Sequence, residues 1–164
     1  MNWNQYFISM AYMTAMKSKD LRTKVGTVIV DDENDILTTG FNGFPRGISD
    51  ALDRQAKMEK VKYTLHAEAN ACLSAARKGV SIRGAKCYVT WAPCEKCALM
   101  LIQSGIKEVI FHQDNKIGES WQDSVKFGEE LLKESGVIYT PWSGELITPK
   151  IFVCGEVIQL NNVS

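Results

Sequence analysis

Trp3, Tyr6, Phe7, Met10, Met13 and Thr14 recur at helical spacing, which predicts an amphipathic helix over residues 4–17 with this aromatic and methionine stripe packed into a core. Two β-rich runs follow, residues 25–30 and 36–41. They flank an acidic, turn-forming stretch, residues 31–35, and together predict a hairpin. That stretch lacks the glycine and distal glutamate of a calcium loop, so it reads as a solvated tip. From Gly43 to Thr64 the chain is punctuated by glycine and proline and then mixed in charge. It is a long connection, with residues 50–62 compatible with a solvated amphipathic helix.

The second half alternates. A helix over 67–78 ends at Gly79 after two basic residues, and a strand over 86–91 follows. Pro93 opens a helix that runs to Ser104 and is closed by Gly105. A strand over 108–112, a helix near 122–135, and β-rich segments at 137–140 and 151–160 complete the chain. Strands alternating with helices predict parallel β-α-β units, with the opening hairpin on the antiparallel side of a mixed sheet.

The chain has 164 residues, a length that favours one domain with one core. Nineteen basic residues balance nineteen acidic ones, so the global field that polynucleotide binders use is absent. The N-terminal stretch carries no basic residue before Lys17 and is interrupted by Asn4, Gln5, Ser9 and Thr14, which argues against a signal peptide or a membrane span and predicts a cytosolic protein. The five cysteines are an odd number, which points to thiols or metal ligands. Cys72, Cys87 and Cys154 lack paired spacing and read as buried small hydrophobes.

Cys94 and Cys97 lie three apart at a helix start, so two thiolates can converge on one ion while the helix N-terminus favours their anionic form. Of the two histidines, His66 opens the neighbouring helix and can supply a third ligand; His112 reads as a surface or satisfied core residue. One His and two Cys leave a tetrahedral zinc a fourth position for water, the pattern of a catalytic ion. Two thiolates nearly cancel the zinc charge, so a separate base is useful. Glu68, two residues from His66, is placed to take a proton from that water and pass it to a substrate. A bare Cys-x-x-Cys at this place also suits a redox pair, and a Cys–His nucleophile is a second alternative. The first leaves His66-Ala67-Glu68 without a use, and the second leaves one cysteine unexplained. His-x-Glu followed by Pro-Cys-x-x-Cys is the arrangement of zinc deaminases, with Glu as general acid and base.

The chain resembles the deoxycytidylate (dCMP) deaminases of the cytidine deaminase superfamily. The matching residues run from Ser18-Lys-Asp20 through Lys24-Val-Gly26, Thr39-Gly-Phe-Asn-Gly-Phe-Pro-Arg-Gly47, His66-Ala-Glu-Ala-Asn-Ala71 and Pro93-Cys-Glu-Lys-Cys97 to Ile102-Gln-Ser-Gly-Ile-Lys-Glu-Val-Ile-Phe111. The resemblance implies a single domain over residues 1–164 with a three-layer α/β/α fold around a mixed sheet of about five strands. It implies conversion of dCMP and water to dUMP and ammonia, feeding thymidylate precursors. Zinc would be held by His66, Cys94 and Cys97, with Glu68 as the proton shuttle. Asn42, the Ala67 backbone N–H and carbonyls at Thr90 and Trp91 are the expected substrate contacts. The family is often a homohexamer, activated by dCTP and inhibited by dTTP, each bound with magnesium. Here Phe41, Gly43 and Arg46 are the expected effector residues, with Lys57, Lys60 and Lys62 behind them. Phe41 stands where the family commonly has Tyr, which removes a hydroxyl, and residues 112–117 lack the Asp-Lys-Tyr run of some relatives. The rival functions are a tRNA or single-stranded DNA deaminase, which needs a basic channel that this neutral chain does not advertise, and a non-catalytic nucleotide-sensing protein, for which Glu68 has no use.

Overall fold

The computed structural model describes residues 1–51, 54, 59–147, 150–153 and 156–159; Asp53, Lys57 and Cys154 lie outside them. In chain order the elements are α1 (Trp3–Ala15), β1 (Gly26–Val30), β2 (Ile36–Phe41), α2 (Glu59–Tyr63), α3 (Ala67–Lys78), β3 (Lys86–Val89), α4 (Glu95–Gln103), β4 (Glu108–His112), α5 (Glu119–Glu134), β5 (Ile138–Trp142), β6 (Lys150–Val153) and β7 (Glu156–Gln159). The main sheet has the order β2-β1-β3-β4-β5. β1 runs antiparallel to both β2 and β3, whereas β3, β4 and β5 are mutually parallel. This is the mixed sheet that the alternation of elements predicts, with the five strands that the family resemblance implies. The apolar segment 151–160 is not one strand: β6 and β7 pair antiparallel with each other in a separate two-stranded sheet.

Both faces of the main sheet are covered, which is why β1 is buried at every position. On one face Val28, Val30, Tyr88 and Ile110 pack against Phe7, Ile8 and Ala11 of α1. On the other, Ile29, Cys87, Val89 and Val109 pack against Ala71 and Ala75 of α3, Ala98 and Leu101 of α4 and Leu132 of α5. Alternate residues of each strand thus feed separate cores, giving three layers, α/β/α.

The α1 stripe differs from the expectation. Phe7, Ile8, Ala11 and Ala15 are buried, while Trp3 and Met13 each remain 56% exposed. The reason is Gly26: a Cβ there would lie 2.0 Å from the Ala11 carbonyl oxygen and 2.6 Å from the Ala15 nitrogen. That close backbone approach turns the small alanine face of α1 toward the sheet and rotates the larger side chains outward. Gly40 does the same for α3, since a Cβ there would lie 2.2 Å from the Ala67 carbonyl oxygen and 2.5 Å from the Ala71 nitrogen. α3 is therefore seated directly on β2 by its first turns. Among the described residues between Gly43 and Thr64, α2 occupies Glu59–Tyr63. Among the described residues, no helix is long and apolar enough to cross a membrane.

Candidate metal centre and cleft

Two helices begin at the same place, the C-terminal side of the sheet. His66 is the N-cap of α3 and Cys94 the N-cap of α4; neither side chain caps its own helix, so ring and thiol are available to point elsewhere. They point at each other. The His66 Nδ1 lies 3.3 Å from the Cys94 Sγ and 3.4 Å from the Cys97 Sγ, and the three donor atoms lie within 4.8 Å of one another. A tetrahedral zinc with bonds of about 2.0–2.1 Å to N and about 2.3 Å to S sets N···S edges of about 3.6 Å. The observed separations fall within a few tenths of that, so these residues fit zinc. The two cysteines and His66 are strongly coupled. Sharing of the Cys97 proton, against a counteracting burial, and the His66 ring draw the Cys94 thiol down to about 4. The same sharing together with burial drives Cys97 up. One sulfur is thereby held as thiolate, the form that a cation takes.

Glu68, in the first turn of α3, is 4% exposed. Burial pushes its carboxyl up, opposed by the His66 charge and by hydrogen bonds from its own backbone N–H and the Cys97 thiol. A raised carboxyl that can hold a proton suits a shuttle near neutral pH. Burial likewise pushes the Cys72 and Cys87 thiols up, in keeping with structural roles.

The site opens into a cleft of about 720 Å³ whose lining includes His66, Ala67, Glu68, Trp91, Ala92 and Cys94 on the metal side. The lining also includes Thr23, Val25 and Asn42, and Lys116, Gly118, Ser120 and Trp121. The volume is that of a small-molecule site. Of the expected substrate residues, Asn42, Ala67 and Trp91 line it. Thr90 does not: it is 2% exposed, its Oγ1 accepts from the Gly26 N–H at 3.2 Å, and its carbonyl already accepts from the Asn115 side chain. Asn42 is a clasp. Its Oδ1 accepts from the Val25 N–H at 2.8 Å and its Nδ2 donates to the Thr23 carbonyl at 2.9 Å, holding the 23–25 segment; one Nδ2 hydrogen remains for a ligand.

Phe41 and Gly43, with Lys17, Lys19 and Phe44, line a smaller pocket of about 130 Å³ that adjoins the cleft through Asp20 and Thr64. Arg46 is exposed and lines neither. Lys60 is not available for a phosphate, because its ammonium lies 2.8 Å from both carboxylate oxygens of Asp20. Asp20 also accepts from the N–H groups of Arg22 and Thr23, so the pair ties the cleft segment 20–25 to α2. His112 is buried, with Nδ1 2.6 Å from the Tyr12 hydroxyl.

Periodicity and motif spacing pass over Trp121, whose ring meets His66 edge to face at 5.5 Å between centroids. They also pass over Gly128, where a Cβ would lie 2.8 Å from the Pro93 carbonyl oxygen. Neither belongs to a motif; each matters only because α5 returns across the start of α4.

Comparison with known proteins agrees with the geometry. The family described as the cytidine and deoxycytidylate deaminase zinc-binding region matches residues 1–113. Human deoxycytidylate deaminase is 39% identical over 120 residues, covering 70% of this chain and 66% of that protein. A probable deoxycytidylate deaminase of Drosophila melanogaster is 38% identical over 150 residues, covering 85% of this chain and 71% of the relative. The crystal structure of dCMP deaminase from the cyanophage S-TIM5 in complex with dCMP and dUMP aligns with a TM-score of 0.70 at 28% identity, over 87% of this chain and 99% of that one.

Proposed function

The chain belongs to the cytidine and deoxycytidylate deaminase zinc-binding family, and from that premise we propose that it is a cytosolic, zinc-dependent dCMP deaminase that releases dUMP and ammonia. The observation that carries the reading is the convergence of the His66 Nδ1 with the Cys94 and Cys97 sulfurs at a cleft into which the buried Glu68 also opens. The free thiols among the described cysteines suit a reducing compartment.

His66, Cys94 and Cys97 would hold the ion. When bound, zinc supplies Lewis acidity that makes water nucleophilic near neutral pH. Glu68 takes one proton from the attacking water and delivers it to N3 of the cytosine ring as the water oxygen adds to C4. It then moves the remaining hydroxyl proton to the 4-amino group, so that ammonia departs and C4 becomes the carbonyl of dUMP. Asn42, with one amide hydrogen still to give, and the backbones of Ala67 and Trp91 would orient the base and sugar. Arg22 and Lys116 in the cleft lining would meet the phosphate by charge-assisted hydrogen bonds. Asp20 would keep Arg22 in place through its backbone bond.

Homohexameric assembly and control by magnesium-bound dCTP and dTTP extend the proposal. The pocket lined by Phe41, Gly43 and Lys17 supports the effector half through an ammonium group beside an aromatic ring, whereas Lys19 there is paired with Asp50 at 2.6 Å. Ammonia release from dCMP, cytidine, dCTP and a tRNA anticodon stem tests the substrate, with dCTP and dTTP added in turn and the assembly measured by light scattering. Turnover confined to dCMP is the expected result; turnover of the tRNA stem alone overturns the reading.

A further inference from the structure

Resting on the dCMP reading, we infer that Asn115 is a positioning residue for substrate binding: through Tyr12 and Thr90 it fastens the 115–121 wall of the cleft to α1 and to the end of β3. The Asn115 Nδ2 donates to the Tyr12 hydroxyl at 2.7 Å and to the Thr90 carbonyl. A carbonyl only accepts, so the nitrogen of the amide must face Thr90, and its two hydrogens serve these two partners. Tyr12 then accepts from Asn115 and has a single O–H left, which goes to the His112 Nδ1 at 2.6 Å. The His112 Nε2 is buried without a hydrogen-bond partner, its nearest acidic group being the Asp114 carboxylate at 3.3 Å. The fixed donor is the Asn115 amide, which gives one hydrogen to Tyr12 and one to Thr90, and the Tyr12 hydroxyl shares a further hydrogen bond with the His112 ring. The His112 ring is wedged between Tyr12 and Trp142, at 5.6 Å and 5.2 Å between centroids, so the chain of bonds rests on packed side chains.

The segment it holds has little else. The Gln113 N–H donates to the Trp142 carbonyl, residues 113–114 form a turn and the Trp121 N–H donates to the Gly118 carbonyl, but among the described residues no backbone N–H from 116 to 118 donates to the backbone. Asn115, just before that interval, has its side chain tied to two other elements. The residues it carries include Lys116, Gly118, Ser120 and Trp121 of the cleft lining, with Trp121 against the ring of His66. Thr90 is the other end of the tie, and the β3–α4 connection starts there and leads to Cys94. Asn115 itself touches no metal ligand, and loosening it moves a substrate-facing wall that meets the metal set through the Trp121 ring against His66.

The test uses the zinc-loaded enzyme, with dCMP kinetics and amide hydrogen exchange on the same samples of wild type, Asn115→Ala, Tyr12→Phe and the double variant. Two lost hydrogen bonds at a solvent-facing wall predict a KM for dCMP raised about 10-fold in Asn115→Ala, with kcat within about 3-fold and zinc content unchanged. Tyr12→Phe keeps the ring and should raise KM about 3-fold, and the double variant should be no worse than Asn115→Ala alone. Exchange of the hydrogen-bonded Gln113 and Trp121 amides should quicken in all three. Wild-type KM in Asn115→Ala, additive effects in the double variant, or a fall in kcat at constant KM each overturn the inference. A wild type that leaves dCMP untouched sinks the functional reading instead, and exchange of the Gln113 and Trp121 amides alone then decides whether Asn115 holds the wall.

Discussion

Gly128 of α5 lies against the backbone of Cys94: a Cβ placed on it would stand 3.0 Å from the Cys94 carbonyl carbon. The same atom would meet the carbonyl oxygen of Pro93 at 2.8 Å and the nitrogen of Glu95 at 3.1 Å, all rigid main chain. α5 thus presses on the turn that aims a candidate zinc ligand. Gly128→Ala should cost about 1–3 kcal/mol of stability through overpacking and should lower zinc occupancy, because the strain falls on the N-cap of α4. Elemental analysis and thermal melting check both; full zinc at the wild-type melting temperature shows that α5 yields instead.

The ion should be one per chain and should need each of its donors. Cys97→Ala removes one of two sulfurs facing the His66 Nδ1, and the remaining pair cannot make the three-ligand set that a catalytic zinc uses. Metal analysis after dialysis should show the loss, and undiminished zinc in the variant contradicts the assignment.

Glu68→Gln is nearly isosteric and leaves the sulfur and imidazole donors in place. It should therefore keep its zinc while kcat falls by at least about 10²–10⁴-fold, the range for a general acid and base, since one carboxyl serves two transfers. Retention of most of the wild-type kcat removes Glu68 from the role.

Asn42→Ala breaks a clasp as well as a candidate ligand contact. Losing the bonds to Val25 and Thr23 should destabilise the protein by about 1–3 kcal/mol. A raised KM for dCMP should accompany it, read from steady-state kinetics beside a urea melt. Wild-type stability and KM together mean that neither role exists.

The Asp20–Lys60 pair makes a pH prediction. Burial pushes the Asp20 carboxyl up, but the Lys60 ammonium and the N–H groups of Thr23 and Arg22 outweigh it, and the net shift is downward. A lowered folded pKa means that the unfolded chain binds more protons in acid, so the stabilisation is fully present above the ordinary carboxylate value of about 4 and is lost as pH falls through the folded value. Asp20→Asn should flatten stability against pH below about pH 4. Lys60→Met should cost about 3 kcal/mol at neutral pH, because it strands a carboxylate in a pair whose side chains are 14% and 9% exposed. Urea melts across pH 3–7 report both, and parallel curves for wild type and Asp20→Asn contradict the account.

Local chemistry was enough to read much of this protein directly. The Gly79 and Gly105 stops, the Pro93 start and the alternation of strands with helices placed α3, α4 and β4 to within a residue or two, because each signal acts on its own few neighbours. His66, Glu68, Cys94 and Cys97 were legible for a related reason: zinc ligation demands particular atoms at particular spacings, and helix starts supply them. The direction in which α1 presents its face was not legible, because Gly26 permits a backbone approach that overrides side-chain size. Nor were the engagement of Thr90 by Asn115, the engagement of Lys60 by Asp20, or the pressure of Gly128 on Cys94. Each joins residues between 25 and 40 positions apart through one or two atom pairs or a bare Cα, and such pairs leave no period or motif in the chain. The sequence by itself determined the order of the elements of the main sheet and the His66, Cys94 and Cys97 set that can hold a metal ion. Only the tertiary structure decided which walls surround that set and what holds them, because those depend on distances across the fold that no local pattern encodes.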